Sequence, residues 1–243
     1  MQEKPLILSI DTSDRTLGVD VSLGGHSLSH RIIDEPRVHA SMLVPTILEV
    51  LLQSGKVMMD LDAVAVAGGP GSYTGLRIGV STAKGLSFAL GIPLIAIPTM
   101  DALALGFGHS AASAGLVTCL NSRKGEIYAQ VWDVSAAPLA LTPVAAVPLD
   151  ELPEFLFSSG RAEFAFAGSG SAAALDAALP VRSITVNPID SDAGWPTVRG
   201  VAVVAKERYD TARFEDVSQF EPLYLKDFAA RKGSSPFEAA QNR

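Results

Sequence analysis

Basic residues are scarce in this chain: 19 Lys and Arg stand against 26 Asp and Glu among 243 residues, for a formal net charge of −7. Proteins that grip nucleic acid carry a cationic stripe, because neutralising phosphates supplies most of their affinity. None is visible, so any work on a nucleic acid needs another component to hold it. A single cysteine, Cys119, excludes an intrachain disulfide and fits a reducing compartment. It falls in an apolar strand-like run with no activating neighbour, the setting of a packed, inert thiol. No apolar run approaches the ~20 residues that cross a bilayer, and the first residues, Met1 to Pro5, lack a charged leader region. A cytoplasmic protein without a membrane partner is expected. The four histidines form no ligand set. His26 and His30 lie on a predicted strand, where residues four apart sit roughly 13 Å from each other, too far to share a metal. His39 and His109 have no ligand-type neighbours.

What is plentiful is apolar surface, at 48% of residues, enough to bury a substantial core. Leu6 to Ile10 reads as a buried strand ending at Asp11-Thr12-Ser13. Residues 16–23 alternate as a second strand, Gly24-Gly25 marks a tight turn, and 27–33 make a third. Three antiparallel strands at the start argue against a doubly wound nucleotide fold, which opens β-α-β. Helices are predicted over 41–54 and 74–90, each followed by a glycine. Strands at 61–67 and 94–97 and a helix over 99–105 complete a β-β-β-α-β-α-β unit. Small residues after Phe107 place a domain boundary near 108.

Beyond it the pattern returns in looser form: strands at 116–120, 126–134 and 164–167, a third strand in the stretch to Val147, and helices over 150–158, 171–178 and 196–209. The expected architecture is α/β with two related domains on mixed sheets, 1–108 and 109–209. The segment 210–228 is expected to pack back on the first domain, and 229–243 reads as a disordered tail.

The sharpest local motif is Gly69-Pro70-Gly71-Ser72-Tyr73-Thr74-Gly75-Leu76-Arg77-Ile78-Gly79, which joins a buried strand to a helix N-terminus. Unpaired amides at such a terminus receive anions. It is not a P-loop, since no Gly-Lys-Ser/Thr follows, and Thr74 replaces the third glycine of a dinucleotide fingerprint. The alternative is a glycine turn needed for positive φ and close packing. Asp11-Thr12-Ser13 is the second motif. It reads either as the remnant of a phosphate-binding hairpin, with Ser13 and Asp14 crowding where glycine is expected, or as a strand-end Asx-turn. No nucleophile–base pair accompanies either motif, and Ser72 does not fit a Gly-x-Ser-x-Gly elbow.

The two helices carry more apolar residues than one packed stripe requires. Met42, Leu43, Val44, Ile47, Leu48, Val50, Leu51 and Leu52 nearly encircle the first. In the second, Gly75, Gly79 and Ala83 form a smooth track on which another helix could lie. Such surplus marks a partner surface, unless the monomer covers it.

These motifs together resemble the TsaB (YeaZ-type) family. The resemblance rests on Ile10-Asp11-Thr12-Ser13, His39-Ala40-Ser41-Met42-Leu43-Val44-Pro45, the long glycine motif with Ala83-Lys84-Gly85-Leu86, Arg123-Lys124-Gly125-Glu126-Ile127-Tyr128, and Pro222-Leu223-Tyr224-Leu225-Lys226. It implies an actin-like ATPase (ASKHA) fold. It also implies a non-catalytic role in making N6-threonylcarbamoyladenosine at position 37 of tRNA, by binding and activating the catalytic paralogue TsaD. The implied contact surface is the first two helices: Met42, Leu43, Thr46, Ile47, Val50, Gly75, Ile78, Gly79, Thr82 and Ala83. The small ATPase TsaE is a further implied partner, tRNA is reached through the complex, and the isolated chain is expected to homodimerise.

The positions of Asp11, Thr12, Ser13, Gly71, Ser72 and Thr74 are implied to be vestigial nucleotide loops, with no cofactor in the isolated chain and ATP or ADP bound only weakly or at the complex interface. TsaD carries a His-x-x-x-His metal motif where this chain has Thr99 and Leu103, neither of which can replace an imidazole, so no metal is expected. Asn121-Ser122 departs from the Asp-Ala common in the family. The fold class leaves one enzymatic alternative, an autonomous ATP-dependent phosphotransferase or ATPase; a metallopeptidase is disfavoured by the missing histidine pair.

Overall fold

The computed structural model describes residues 4–35, 37–107, 115–181, 184–187 and 196–225. Leu6–Asp11 (β1) is buried along its whole length, as its unbroken apolar run requires of a strand covered on both faces. It sits at the centre of a five-stranded sheet. Leu17–Leu23 (β2) pairs antiparallel with β1 on one side and, through the Gly24-Gly25 turn, with His26–Ile33 (β3) on the other. Ala63–Ala67 (β4) and Leu94–Ile97 (β5) extend β1 in parallel, giving the order β3-β2-β1-β4-β5. Two helices, His39–Gln53 (α1) and Tyr73–Leu90 (α2), lie on one face. Their core joins Leu8, Ile10, Val19, Leu43, Ile47, Val64 and Val66. Ser72 caps α2 by accepting from the Gly75 amide, and Gly91 ends it in the left-handed region.

Thr99–Phe107 (α3) follows, and the strand pattern then repeats. Gly115–Asn121 (β6) pairs antiparallel with Glu126–Asp133 (β7), which carries the short strands Leu139–Ala140 (β8) and Ala145–Pro148 (β9). Glu163–Ala167 (β10) and Thr185–Asn187 (β11) extend β6 in parallel. The resulting path, β11-β10-β6-β7-β8, repeats the order of the first sheet, with β9 as a sixth strand that also pairs β7. Leu152–Phe157 (α4) and Ser171–Ala178 (α5) cover one face, as α1 and α2 do in the first half.

The remaining two helices correct the expected division at 108. Pro196–Asp210 (α6), placed by sequence in the second domain, packs on the first sheet: Val201, Val204 and Ala205 bury Ile7, Ala63, Ala65, Ala67, Ile95 and Ile97. Conversely, Met100, Leu103, Ala104 and Phe107 of α3 pack against Leu116, Leu120, Trp132, Ala165 and Ala167 of the second sheet. Each half therefore lends its last helix to the other. The two helices cross closely at Gly200, where a Cβ would lie 1.9 Å from the Ala102 carbonyl oxygen, so glycine is required by contact and not by φ.

After α6 the chain returns across the first domain: the Glu215 amide donates to Leu94 O (2.9 Å) and the Leu223 amide to Gly68 O (2.8 Å). The expected boundary segment 108–114 and the expected tail 229–243 lie outside the described residues.

Candidate functional site

The two motifs singled out by sequence are locked into each other. The Thr12 hydroxyl donates to Gly75 O (2.7 Å), and the Ser72 amide donates to Ser13 O (2.6 Å). A Cβ at Gly71 would stand 2.2 Å from Ser13 O, one at Gly75 2.0 Å from Thr12 O, and one at Gly79 2.1 Å from Thr12 Oγ1. The glycines let the end of β1 lie directly on the first turns of α2.

Two corrections follow. The track Gly75, Gly79, Ala83 is buried, its two glycines against Thr12 and Ala83 in the core, so it is no open groove for a partner helix. The Ser72 amide that a vestigial phosphate loop would offer is already given to Ser13 O, and Ser13 leaves no room for a Cβ at Gly71. Asp11 uses one oxygen, Oδ1, to accept both the Ser13 amide (2.9 Å) and hydroxyl (2.6 Å), which is an Asx-turn. Burial pushes its pKa upward, and those two bonds counter the rise. Thr74 stays exposed beside the lock.

The second half holds a matching lock that the sequence reading missed. Gly168-Ser169-Gly170 follows β10 as the first glycine loop follows β4. The Gly170 amide donates to Cys119 O (3.1 Å), and a Cβ at Gly168, whose φ is +103°, would lie 2.2 Å from the same oxygen. Asn121 donates from Nδ2 to Ser169 O (2.8 Å), while its backbone amide donates to Ser169 Oγ (3.1 Å). A carboxylate cannot donate to a carbonyl, which gives the asparagine at 121 a physical role. The signal available was a Gly-x-Gly directly after an apolar strand. Cys119 is buried with its thiol on Ala167 O (3.4 Å), and desolvation pushes its pKa up to about 12: an unreactive thiol.

The two positions where the resemblance sets histidines are structural. Thr99 Oγ1 accepts from the Gly69 amide (3.2 Å), and Leu103 is core. Among the described residues no group of three or more His, Cys, Asp or Glu is placed to hold a metal ion.

On α1, the structure redistributes the expected contact residues. Leu43, Thr46, Ile47 and Val50 are buried inside the domain, as are Gly75, Gly79 and Ala83 on α2, so none of these seven can meet a partner directly. Met42, Ile78 and Thr82 are half-buried. Packing of α1 on β2 consumes the arc that faces the sheet. What remains outside is Val44 (49% exposed), Leu48 (53%) and Leu52 (80%), one row at a spacing of four, with Phe88 (83%) on α2.

The returning C-terminal segment clips onto the glycine loop. Lys84 Nζ donates to Phe220 O (2.8 Å), the Tyr73 and Tyr224 rings lie 4.9 Å apart, and the Arg77 guanidinium stands 4.4 Å over Tyr73. Gly69, at φ +106°, has no room for a Cβ, which would fall 2.5 Å from Leu223 O.

Comparison with known proteins adds the following. The model of the TsaD family, tRNA N6-adenosine threonylcarbamoyltransferase, matches residues 33–234. The chain is 32% identical to the tRNA threonylcarbamoyladenosine biosynthesis protein TsaB of Escherichia coli over 122 residues, 50% of this chain and 52% of that one. It is 35% identical to the TsaB of Bacillus subtilis over 123 residues, 50% and 52%. The match thus spans about half the length of these curated relatives.

Among solved structures, YeaZ from Pseudomonas aeruginosa superposes with a TM-score of 0.74 at 23% identity, covering 91% of this chain and 100% of that one. The activator of 2-hydroxyisocaproyl-CoA dehydratase from Clostridium difficile, solved with bound ADPNP, superposes at 0.52 and 9% identity, covering 93% and 100%. The two-sheet architecture is the actin-like ATPase fold.

Proposed function

This chain belongs to the tRNA N6-adenosine threonylcarbamoyltransferase (TsaD) family as a TsaB/YeaZ-type member, and on that premise we propose that it is a non-catalytic subunit in formation of N6-threonylcarbamoyladenosine on tRNA. It acts by binding and activating the catalytic paralogue TsaD, with TsaE joining the pair and tRNA held by the complex. The observation that carries the reading is the exposed apolar row Val44, Leu48 and Leu52 on α1, together with the exposed Phe88 on α2. Large apolar side chains left in water on two helices that pack against each other are disfavoured there and can be covered by a partner. The same face serves a homodimer when the chain is alone.

The rest of the molecule supports a non-catalytic role. The residues at the two interlocked loops make bonds to the chain's own backbone, and Thr99 and Leu103 offer no imidazole. A net charge of −7 suits a subunit that leaves phosphate contacts to others, in a cytoplasmic setting. ATP or ADP binds weakly, or at the interface with TsaD.

Reconstitution tests the proposal. Purified TsaD, TsaE and the threonylcarbamoyl donor should modify tRNA with this chain and not without it. The double substitution Leu48→Glu/Phe88→Glu should abolish both co-elution with TsaD and modification while leaving the melting temperature unchanged. Full modification in the absence of the chain, or ATP turnover by the chain alone, overturns it.

A further inference from the structure

The face of the first sheet beneath α6 is apolar over β4 and β5 and polar over β1 and β2. The register sets Ser9 opposite Asp20 and Ile7 opposite Ser22. Ile7 packs against α6, and a Cβ at Gly18 would touch Val198 of that helix, so alternation puts Ser9, Asp20 and Ser22 on the covered face. All three are at most 2% exposed. Asp20 Oδ2 accepts the Ser27 hydroxyl, but Ser9 Oγ, Asp20 Oδ1 and Ser22 Oγ have no partner among the described residues. The buried residues of α6 above them are Val198, Val201, Ala202, Val204 and Ala205, which supply no polar side chain. A small side chain flanks the three oxygens, since Ala65 lies beside Ser9 in the register.

Buried polar oxygens in a packed core are paired, and where protein supplies no partner an ordered water with about three bonds does. We infer that one water molecule is held beneath α6 by Ser9 Oγ, Asp20 Oδ1 and Ser22 Oγ. Three bonds fit one water: it accepts from both serine hydroxyls and gives a proton to the carboxylate. A metal cation is the poorer occupant, since three protein oxygens fall well short of the six or more that a hard cation gathers. Moreover, Arg199 of α6 and His30 of β3 already act on the Asp20 charge. The helix lent by the second half therefore rests on a wet seat at β1–β2 and a dry one at β4–β5.

A crystal structure of the full chain at neutral pH tests the site, together with a thermal-melting cycle of Ser9→Ala, Ser22→Ala and the double variant. Density for a water within hydrogen-bond distance of all three oxygens is expected. Because both hydroxyls serve one molecule, the double variant should shift the melting temperature by less than the sum of the single shifts. Direct bonds among the three side chains, an anomalous peak there after a thallium soak, or strictly additive shifts overturn the inference.

Discussion

Asp20 is a carboxylate placed where folding must strip its water, and burial pushes its pKa from 3.8 up to about 6 despite the Ser27 hydroxyl, His30 and Arg199. The folded state therefore prefers the protonated form more than the unfolded state does. Any stability this group gives is complete below pH 3.8, declines as the pH rises to about 6 and stays lost above it. Asp20→Asn should stabilise the protein at pH 7.5 by up to about 3 kcal/mol, the ceiling set by a shift of roughly two pH units, and by far less at pH 4. Urea midpoints at the two pH values decide it, and an equal gain at both refutes it. Gly79→Ala tests the lock at the other end of β1. Its methyl must displace Thr12 and break the hydroxyl bond to Gly75 O, at a cost of about 1–3 kcal/mol. Adding Thr12→Ala should recover part of that loss, as read by the melting temperature. At this scale the sequence was informative where spacing fixes local geometry. Asp11 two residues before a serine amide offered an Asx-turn as one of two readings, and the bonds of Oδ1 to the Ser13 amide and hydroxyl select it. The bond of Thr12 to Gly75, 63 positions away, has no local signature.

Among elements, α2 was legible because Gly91 is a chemically marked stop, and the structure puts it at Tyr73–Leu90 against an expected 74–90. The inward face of α1 was not legible. When nearly every position is apolar the 3.6-residue period loses contrast, and the arc that meets the sheet cannot be told from the arc that meets solvent. The structure separates neighbours in sequence, with Ile47 fully buried and Leu48 half outside. Ile47→Ala should accordingly cost about 2–5 kcal/mol by opening a cavity in the core between α1 and the sheet, while Leu48→Glu should stay within about 0.5 kcal/mol of the parent. Denaturant midpoints of the two variants compare them directly, and comparable losses would show that the burial boundary on α1 is misplaced. The strands β8 and β11 were missed for a different reason: two and three residues are too few for alternation to register.

For the whole molecule, the repeat of one α/β unit was visible because each copy restates the same order of strands and turns. The exchange of α3 and α6 between the copies was not, since apolar periodicity says that a helix is covered but not by which sheet. The consequence is that the first sheet is closed by a helix from the far end of the chain. Without α6, the face made by Ile7, Ala63, Ala65, Ile95 and Ile97 is open. Without the returning segment, Leu94 loses its bridge to Glu215 and Lys84 its acceptor at Phe220. The isolated fragment 1–107 would have to expose an apolar face that in the full chain is entirely covered, at roughly 25 cal/mol for every Å² left in water, a large loss against the roughly 5–15 kcal/mol by which whole domains are stable. It should therefore fail to fold, giving collapsed amide dispersion in a proton–nitrogen spectrum and no cooperative melt, while the full chain melts as a unit. A fragment that melts cooperatively would mean that α1 and α2 suffice to hold the sheet and that the lent helix serves something other than closing it.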